Sequence, residues 1–328
     1  MLHVTPYRCT SCTAAQLYEL DNILSWPLLF ETCTSCFTKA FTTDLNQARA
    51  CMQLQSVMAS PPIHYLLPIF PGFQLLDLAG PLDILNLHSI ISENTELSLK
   101  FIAESLDPVP SKPIVPKSAN WSFDLQSAFP QSGGKVNSAF NEYLQPDTTY
   151  AEFLTAIESG VNNPTVDVLL IPGGIGTRLQ RMHQDGSKSS NIQSLLDFIP
   201  KVAPHIRTAI VTVCTGSDAL AQTGLLDSRR ATTNMSRFAE VAKRNPSVSW
   251  QPAARWVRSI PSEAQDSTPI EIWTSAGISA GMDVTLAFIA HHYGGQDVSR
   301  NLAKELEYDW REIAEGDKDP LYEKYYKV

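Results

Sequence analysis

The stretch IRTAIVTVCTGSDALAQTGLL, from Ile206 to Leu226, restricts the fold more than any other part of the chain. Ile210 to Val213 form an apolar, largely β-branched run that stops at a single cysteine, Cys214. Thr215-Gly216-Ser217 follows, and the spacing then turns helical, with Leu220, Leu225 and Leu226 as apolar positions. Strand, sharp turn and helix in immediate succession describe an elbow. The residue at such a bend is lifted off the sheet edge, and the backbone N–H groups of the next turn face it. A thiol placed there is expected to titrate below the roughly 8.5 of a free cysteine, which marks Cys214 as a candidate nucleophile. The competing reading is a small buried hydrophobe, and the position between a strand and a TGS turn favours the nucleophile.

A chain of 328 residues is long enough for one large α/β core with appendages. Charged residues make up 18% and the formal net charge is −9, which argues against nucleic acid or an anionic membrane surface as a partner. The longest apolar runs are strand-sized, well short of the roughly 20 residues that span a bilayer. Cys9, Cys12, Cys33, Cys36 and Cys51 all precede residue 60, and Cys214 stands alone afterwards. The main domain therefore has no disulfide framework, and a reducing, cytoplasmic setting is expected. Residues 1–60, rich in Thr, Ser and Cys, read as a disordered leader. Cys9-x-x-Cys12 and Cys33-x-x-Cys36 come close to a four-thiolate zinc spacing, but the usual knuckle glycines are missing.

The α/β domain is expected over 61–315. Ile63 to Phe70 reads as its first strand, and Pro71-Gly72 as the turn that ends it. A helix follows to about His88, with Pro81 in its first turn. Leu97 to Ala103 is a second strand, and Glu104 to Thr165 a long polar region with short strands near Ile114 and Trp121. Residues 130–147 look like an inserted surface loop. Val166 to Ile171 runs as a buried strand into Pro172-Gly173-Gly174-Ile175-Gly176, Ile192 to Val202 is helical, and then comes the elbow. Beyond it a helix is expected over Arg237 to Arg244, and strands over Trp250 to Arg258 and Ile270 to Thr274, with a polar insertion at 258–269. Helices over Met282 to His292 and Val298 to Trp310 follow, and 316–328 form a C-terminal tail. Strands alternating with helices and ending in glycine-rich turns indicate a mostly parallel sheet with helices on both faces.

In such sheets ligands bind at the carboxyl ends of the strands. Three turns qualify. Pro71 to Asp77 offers a carboxylate, Pro172 to Gly176 a backbone able to approach a ligand closely, and Cys214 to Ser217 a thiol. Each has a plainer reading: Asp77 as a helix cap, Gly173-Gly174 as a tight turn, Cys214 as packing. His291-His292 resembles a metal pair but ends an apolar helix, so packing is expected and no metal site. Trp250, Trp256 and Trp273 read as core aromatics, and Asp83 as a solvated residue.

LPIFPGFQLLDLAGPLDIL, FIAESLDPV, DVLLIPGGIGTR, VTVCTGSDALAQTGLLDSRRATT and IWTSAGISAGMDVTLAFIAHHYG, taken in order, resemble the PfpI-like, class I glutamine amidotransferase-like superfamily, and within it the isonitrile hydratases. The resemblance runs from Ile63 to Trp310. It implies a flavodoxin-like three-layer sandwich, usually a homodimer, without a cofactor. Cys214 takes the nucleophile position and Asp77 that of the acid, while Thr215, Gly173 and Gly174 are candidates for steadying an intermediate. The implied reaction hydrates a small-molecule isonitrile to an N-substituted formamide. A non-catalytic metabolite-binding or regulatory protein of the same fold, or another cysteine-dependent amide or aldehyde chemistry of the superfamily, stands as the alternative. Thr215 replaces the histidine that peptidase-like branches carry after the cysteine, and Asn234 stands where relatives commonly have His. A carboxyl acting as proton donor needs a raised pKa, which Leu75, Leu76 and Leu78 are expected to supply by excluding water.

Overall fold

The computed structural model describes residues 60–92, 96–160, 164–261 and 270–326. The expected leader with its four-cysteine spacing, up to residue 59, and positions 262–269 of the second insertion lie outside the described residues. No helix among the described residues is long and apolar enough to cross a membrane.

The first apolar run forms strand β1, His64–Pro68, followed by helix α1, Leu75–Ile91, and β2, Ser98–Ala103. Thr148–Thr149, β3, leads into α2, Tyr150–Ser159. A capping box closes the start of α2: Glu152 N–H donates to Thr149 Oγ1 at 3.1 Å, and Thr149 N–H to Glu152 Oε2 at 3.0 Å. The centre is built from β4, Val166–Ile171, α3, Gln193–Val202, and β5, Ile206–Thr212. Then come α4, Gly216–Ala221, α5, Phe238–Arg244, β6, Trp256–Ser259, and β7, Glu271–Ser275. Helices α6, Ala280–His292, α7, Gln296–Glu305, and α8, Pro320–Tyr326, complete the chain.

The seven strands form one sheet in the order β6-β7-β5-β4-β1-β2-β3, parallel throughout except that β6 runs antiparallel to β7. The chain lays β1 to β3 outwards in one direction and β4, β5 and β7 in the other. Right-handed crossovers then place α1 on one face and α2 and α3 on the opposite face. Helices α6 and α7 pack on α1, and α3 packs on α2. This is the flavodoxin-like sandwich. Because β4 is covered on both faces, all six of its residues are buried, and apart from Asp167, which accepts from Ile63 and His64 N–H and pairs with Arg207, it reads as apolar rather than as an alternation. The strand order reverses between β1 and β4, so the crevice at their carboxyl ends is where such a sheet forms a ligand site.

Several local expectations shift. Helix α1 begins at Leu75 with Pro81 inside it, which puts Asp77 in the first turn and leaves the Asp77 carbonyl without the N–H that residue 81 would normally donate. Helix α4 ends at Ala221, before Leu225 and Leu226, because Gly224 turns the chain with a φ of +83°. The run from Trp250 to Arg258 splits: Ser249–Trp250 pairs with Arg230–Ala231, and Ala253, at a φ of +61°, separates it from β6. The short strand expected near Trp121 is Trp121–Phe123, and it joins a hairpin of Gln180–His183 and Lys188–Ser190 that the sequence does not signal, whereas the stretch around Ile114 forms no strand. Residues 131–145 are mostly exposed, as an inserted loop should be, but Tyr143–Leu144 pair with Val109–Pro110.

The C-terminal stretch is not a loose tail. Asp319 is fully buried and accepts from Arg255 Nη1 at 3.0 Å and from Arg311 at 2.8 and 2.7 Å, and Arg255 also pairs with Asp283. Tyr322 packs with Met235, Ala253, Ala276 and Ala280. Of the three tryptophans read as core, Trp273 is buried, Trp256 stacks on it at 5.5 Å, and Trp250 is half-buried edge-on to Phe238. His291 and His292 approach Glu271, where the three bring ligand-type atoms within 4.8 Å of one another. That carboxylate also accepts from Arg258 and from Trp273 Nε1.

Candidate active site

The turns after β1, β4 and β5 meet at the crevice and bring Asp77, Gly173, Gly174, Cys214 and Thr215 together. Cys214 has a φ of +58°, a left-handed conformation that costs a side-chain-bearing residue about 1–3 kcal/mol. The surroundings hold it there. Its N–H donates to Ala276 O at 3.2 Å, and its carbonyl accepts from Ser217 Oγ at 3.0 Å and Thr233 Oγ1 at 3.2 Å. The cysteine is thus clamped from α4, from the loop before Asn234 and from the end of β7.

Asp77 is fully buried, and its Oδ2 accepts from Gly173 N–H at 2.9 Å. Its Oδ1 has no hydrogen-bond partner among the described residues. A Cβ on Gly173 would stand 2.5 Å from Thr215 N and 3.0 Å from Cys214 Cβ, so only glycine lets the β4 turn come this close to the elbow. Gly174 N–H donates to Thr215 Oγ1 at 3.1 Å, and Thr177 Oγ1 donates to the same oxygen at 3.0 Å. The N–H groups of Gly173 and Gly174 are therefore both engaged within the protein. Gly173 fixes the Asp77 carboxyl, and Gly174 and the Thr215 hydroxyl tie the two turns together.

The electrostatics reverse the expectation for the thiol. Burial pushes Cys214 up to about 12, the negative charge of Asp77 adds to the rise, and hydrogen bonds from Asn234 and Thr215 pull back only in part. Helix α4 has six residues, too few to outweigh the loss of water around a sulfur whose residue is 5% exposed. Burial likewise raises Asp77 to about 7, against the lowering effect of Gly173 N–H and the Cys214 thiol. Of the leucines expected to exclude water, Leu78 is buried, Leu75 half-buried and Leu76 exposed. The two groups titrate as a pair that tolerates one negative charge and resists a second.

Two residues escaped the sequence reading of this site. Asn234 appeared there only as a departure from histidine, yet its Nδ2 donates to Cys214 Sγ at 3.1 Å. Arg178, half-buried at the end of the turn that carries Gly174, lies in electrostatic range of Cys214 and makes no hydrogen bond or ion pair with a described residue. Its pKa is lowered, first by burial and then by Arg237. Asp83 is exposed, as a solvated residue should be.

Comparison with known proteins places these features in context. An isonitrile hydratase of Pseudomonas putida is 27% identical over 240 residues, covering 73% of this chain and 76% of that protein. A ThiJ/PfpI family protein from Pseudomonas syringae superposes with a TM-score of 0.46 at 20% identity, over 77% of this chain and 76% of that one. A DJ-1 superfamily protein from Salmonella typhimurium gives 0.47 at 18% identity, over 76% of this chain and 100% of that one. The model of the DJ-1/PfpI family matches residues 65–290, a span that includes the turns of Asp77, Gly173 and Cys214 together with Asn234, and this chain belongs to the DJ-1/PfpI family.

Proposed function

We propose that the protein hydrates an isonitrile to an N-substituted formamide, with Cys214 as nucleophile and Asp77 as proton carrier. The observation that carries this reading is the buried carboxyl beside the thiol. Asp77 is held by one oxygen, its other oxygen has no hydrogen-bond partner among the described residues, and its pKa is near neutrality, which is what a group that takes and returns one proton requires. The 27% identity to an isonitrile hydratase supports the same choice of reaction.

The steps balance on a single proton and one water. Asp77 takes the proton of the Cys214 thiol and passes it to the terminal carbon of the isonitrile as sulfur forms the C–S bond, leaving a thioimidate. Asp77, ionised again, removes a proton from water. The hydroxide oxygen bonds to the same carbon, and that proton goes to nitrogen. Collapse to C=O breaks the C–S bond, and the hydroxyl proton returns to sulfur through Asp77.

Incubating the full-length protein with simple alkyl and aryl isonitriles, and following formamide by NMR, tests the proposal. Turnover that Cys214→Ala abolishes and Asp77→Asn reduces at least about a hundredfold is expected, on the scale of losing a general acid–base. No formamide from any of several isonitriles would refute it.

A further inference from the structure

The amide of Asn234 is placed to do more than end a turn. Ser236 N–H donates to Asn234 Oδ1 at 3.0 Å, and Ser236 Oγ to the same oxygen at 2.6 Å. Only an oxygen can accept from a backbone N–H, so these contacts fix the orientation of the amide and turn Nδ2 towards Cys214 Sγ, 3.1 Å away. Room for it is made from the opposite side. A Cβ on Gly277 would lie 2.2 Å from Asn234 Nδ2, so the turn after β7 passes flush against the amide. An amide nitrogen carries two hydrogens, and apart from the sulfur no hydrogen-bond partner of Nδ2 is found among the described residues.

The remaining donors at the crevice make this consequential. The backbone N–H groups of Gly173 and Gly174, the natural candidates for an anion-stabilising pair, are spent on Asp77 and Thr215. The Thr215 hydroxyl is tied to Gly174 and Thr177, which leaves the Thr215 backbone N–H and the Asn234 amide as the main donors to the sulfur. A sulfur that must become anionic in a buried site, and an adduct that must carry charge on the oxygen or nitrogen next to it, need a fixed donor. We infer that Asn234 is a catalytic residue, whose Nδ2 hydrogens stabilise the negative charge on Cys214 Sγ and then on the atom bonded to the carbon that the sulfur has attacked. This rests on the reaction proposed above for the second half of the role, and on the geometry at the sulfur alone for the first.

A purely structural role is separable, because Asn234 also caps the short turn Met235–Arg237 through Oδ1. Asn234→Ser keeps a capping oxygen and removes the donor to sulfur. Asn234→Asp keeps the cap and puts an anion in the donor's place. Gly277→Ala leaves Asn234 in the chain and displaces its amide.

Two measurements are made on the full-length protein. One is the rate of iodoacetamide alkylation of Cys214 from pH 6 to 10, followed by mass spectrometry of the peptide that contains it. The other is the kcat and KM of isonitrile hydration. Asn234→Ser is expected to slow alkylation about tenfold at a given pH, Asn234→Asp more, and Gly277→Ala in the same direction. In Asn234→Ser, kcat should fall about a hundredfold with KM nearly unchanged, the scale seen when one donor to a developing charge is removed. Alkylation at the wild-type rate in both Asn234 variants would overturn the inference, as would slowed alkylation with unchanged kcat. A wild-type protein that hydrates no isonitrile would defeat the proposed reaction alone, and the alkylation series would still decide whether Asn234 carries charge for the sulfur.

Discussion

Replacing Asp77 by asparagine should make the protein more stable at pH 8 than at pH 5 relative to the wild type, and the size of that change follows from the burial of one carboxyl. Asp77 moves from its ordinary 3.8 to about 7 in the folded protein, chiefly because it is removed from water. A group whose folded pKa is raised contributes stability that is fully present below the unfolded value and lost as pH rises through the folded one. The loss therefore begins near pH 4 and is complete a little above pH 7. The rise from 3.8 to about 7 corresponds to about 4 kcal/mol, of which about 3 kcal/mol falls between pH 5 and pH 8. Asparagine keeps an oxygen for Gly173 N–H and does not titrate, so this loss is absent from the variant. Differences in packing or in the new amide's own contacts are independent of pH and cancel in the comparison. Urea unfolding of both proteins at pH 5, 6, 7 and 8 measures it. The stability difference should grow by about 3 kcal/mol, or roughly 5–10 °C in Tm for a domain of this size. Curves that stay parallel from pH 5 to 8 would show that Asp77 is not held protonated by the fold, and the account of it as a proton carrier would fall with them.

On the proposed reaction the active form is the singly protonated Cys214–Asp77 pair, so kcat/KM should rise with pH through about 7 and then level off; a fall on the alkaline side of neutrality would contradict this assignment. Gly173→Ala forces a methyl against Thr215 N and Oγ1, at 2.5 and 2.7 Å, so it should destabilise by about 1–3 kcal/mol. Activity should fall well beyond that stability loss, as a comparison of thermal melts with turnover would reveal. Asp319→Ala leaves Arg255 with one buried carboxylate fewer and frees Arg311, for a loss of about 3 kcal/mol in chemical denaturation. An unchanged midpoint would mean that the C-terminal stretch does not stabilise the domain.

The parts of this architecture that announce themselves in sequence are those encoded within a few neighbouring residues. Val168 to Ile171 and Ile210 to Val213 are largely apolar because both faces of the sheet are covered there, and the glycines after each strand are there because the turns approach one another. Those local signals place Asp77, Gly173, Gly174, Cys214 and Thr215 at one edge. What stays hidden depends on contacts between distant segments. The amide of Asn234 meets Cys214 twenty positions away, and its orientation depends on Ser236 and on the absence of a side chain at Gly277. Asp319 and Tyr322 sit in a polar stretch whose burial is visible only once Arg255 and the Met235–Ala276 cluster are in place. The thiol's rise, against what the elbow alone implies, has the same origin. An elbow motif gives the position of the cysteine, but the surrounding loops determine how much water reaches it.

That reversal bears on the chemistry. A freely ionised thiolate suits attack on a carbon that is already electrophilic, such as an amide carbonyl, and a histidine beside the cysteine would supply it as part of an ion pair without net charge. Here the residue after the cysteine is Thr215, its hydroxyl is occupied by Gly174 and Thr177, and the neighbour that can exchange a proton is the Asp77 carboxyl. Such a pair keeps its proton at neutral pH, because losing it would bury two negative charges side by side. On the proposed reaction this is an advantage. The isonitrile carbon accepts sulfur only as it gains a proton, so nucleophile and proton must arrive together. A site that retains one proton between sulfur and carboxylate delivers both in a single event, and the fixed amide of Asn234 is then the group that keeps the remaining charge tolerable while the proton is away.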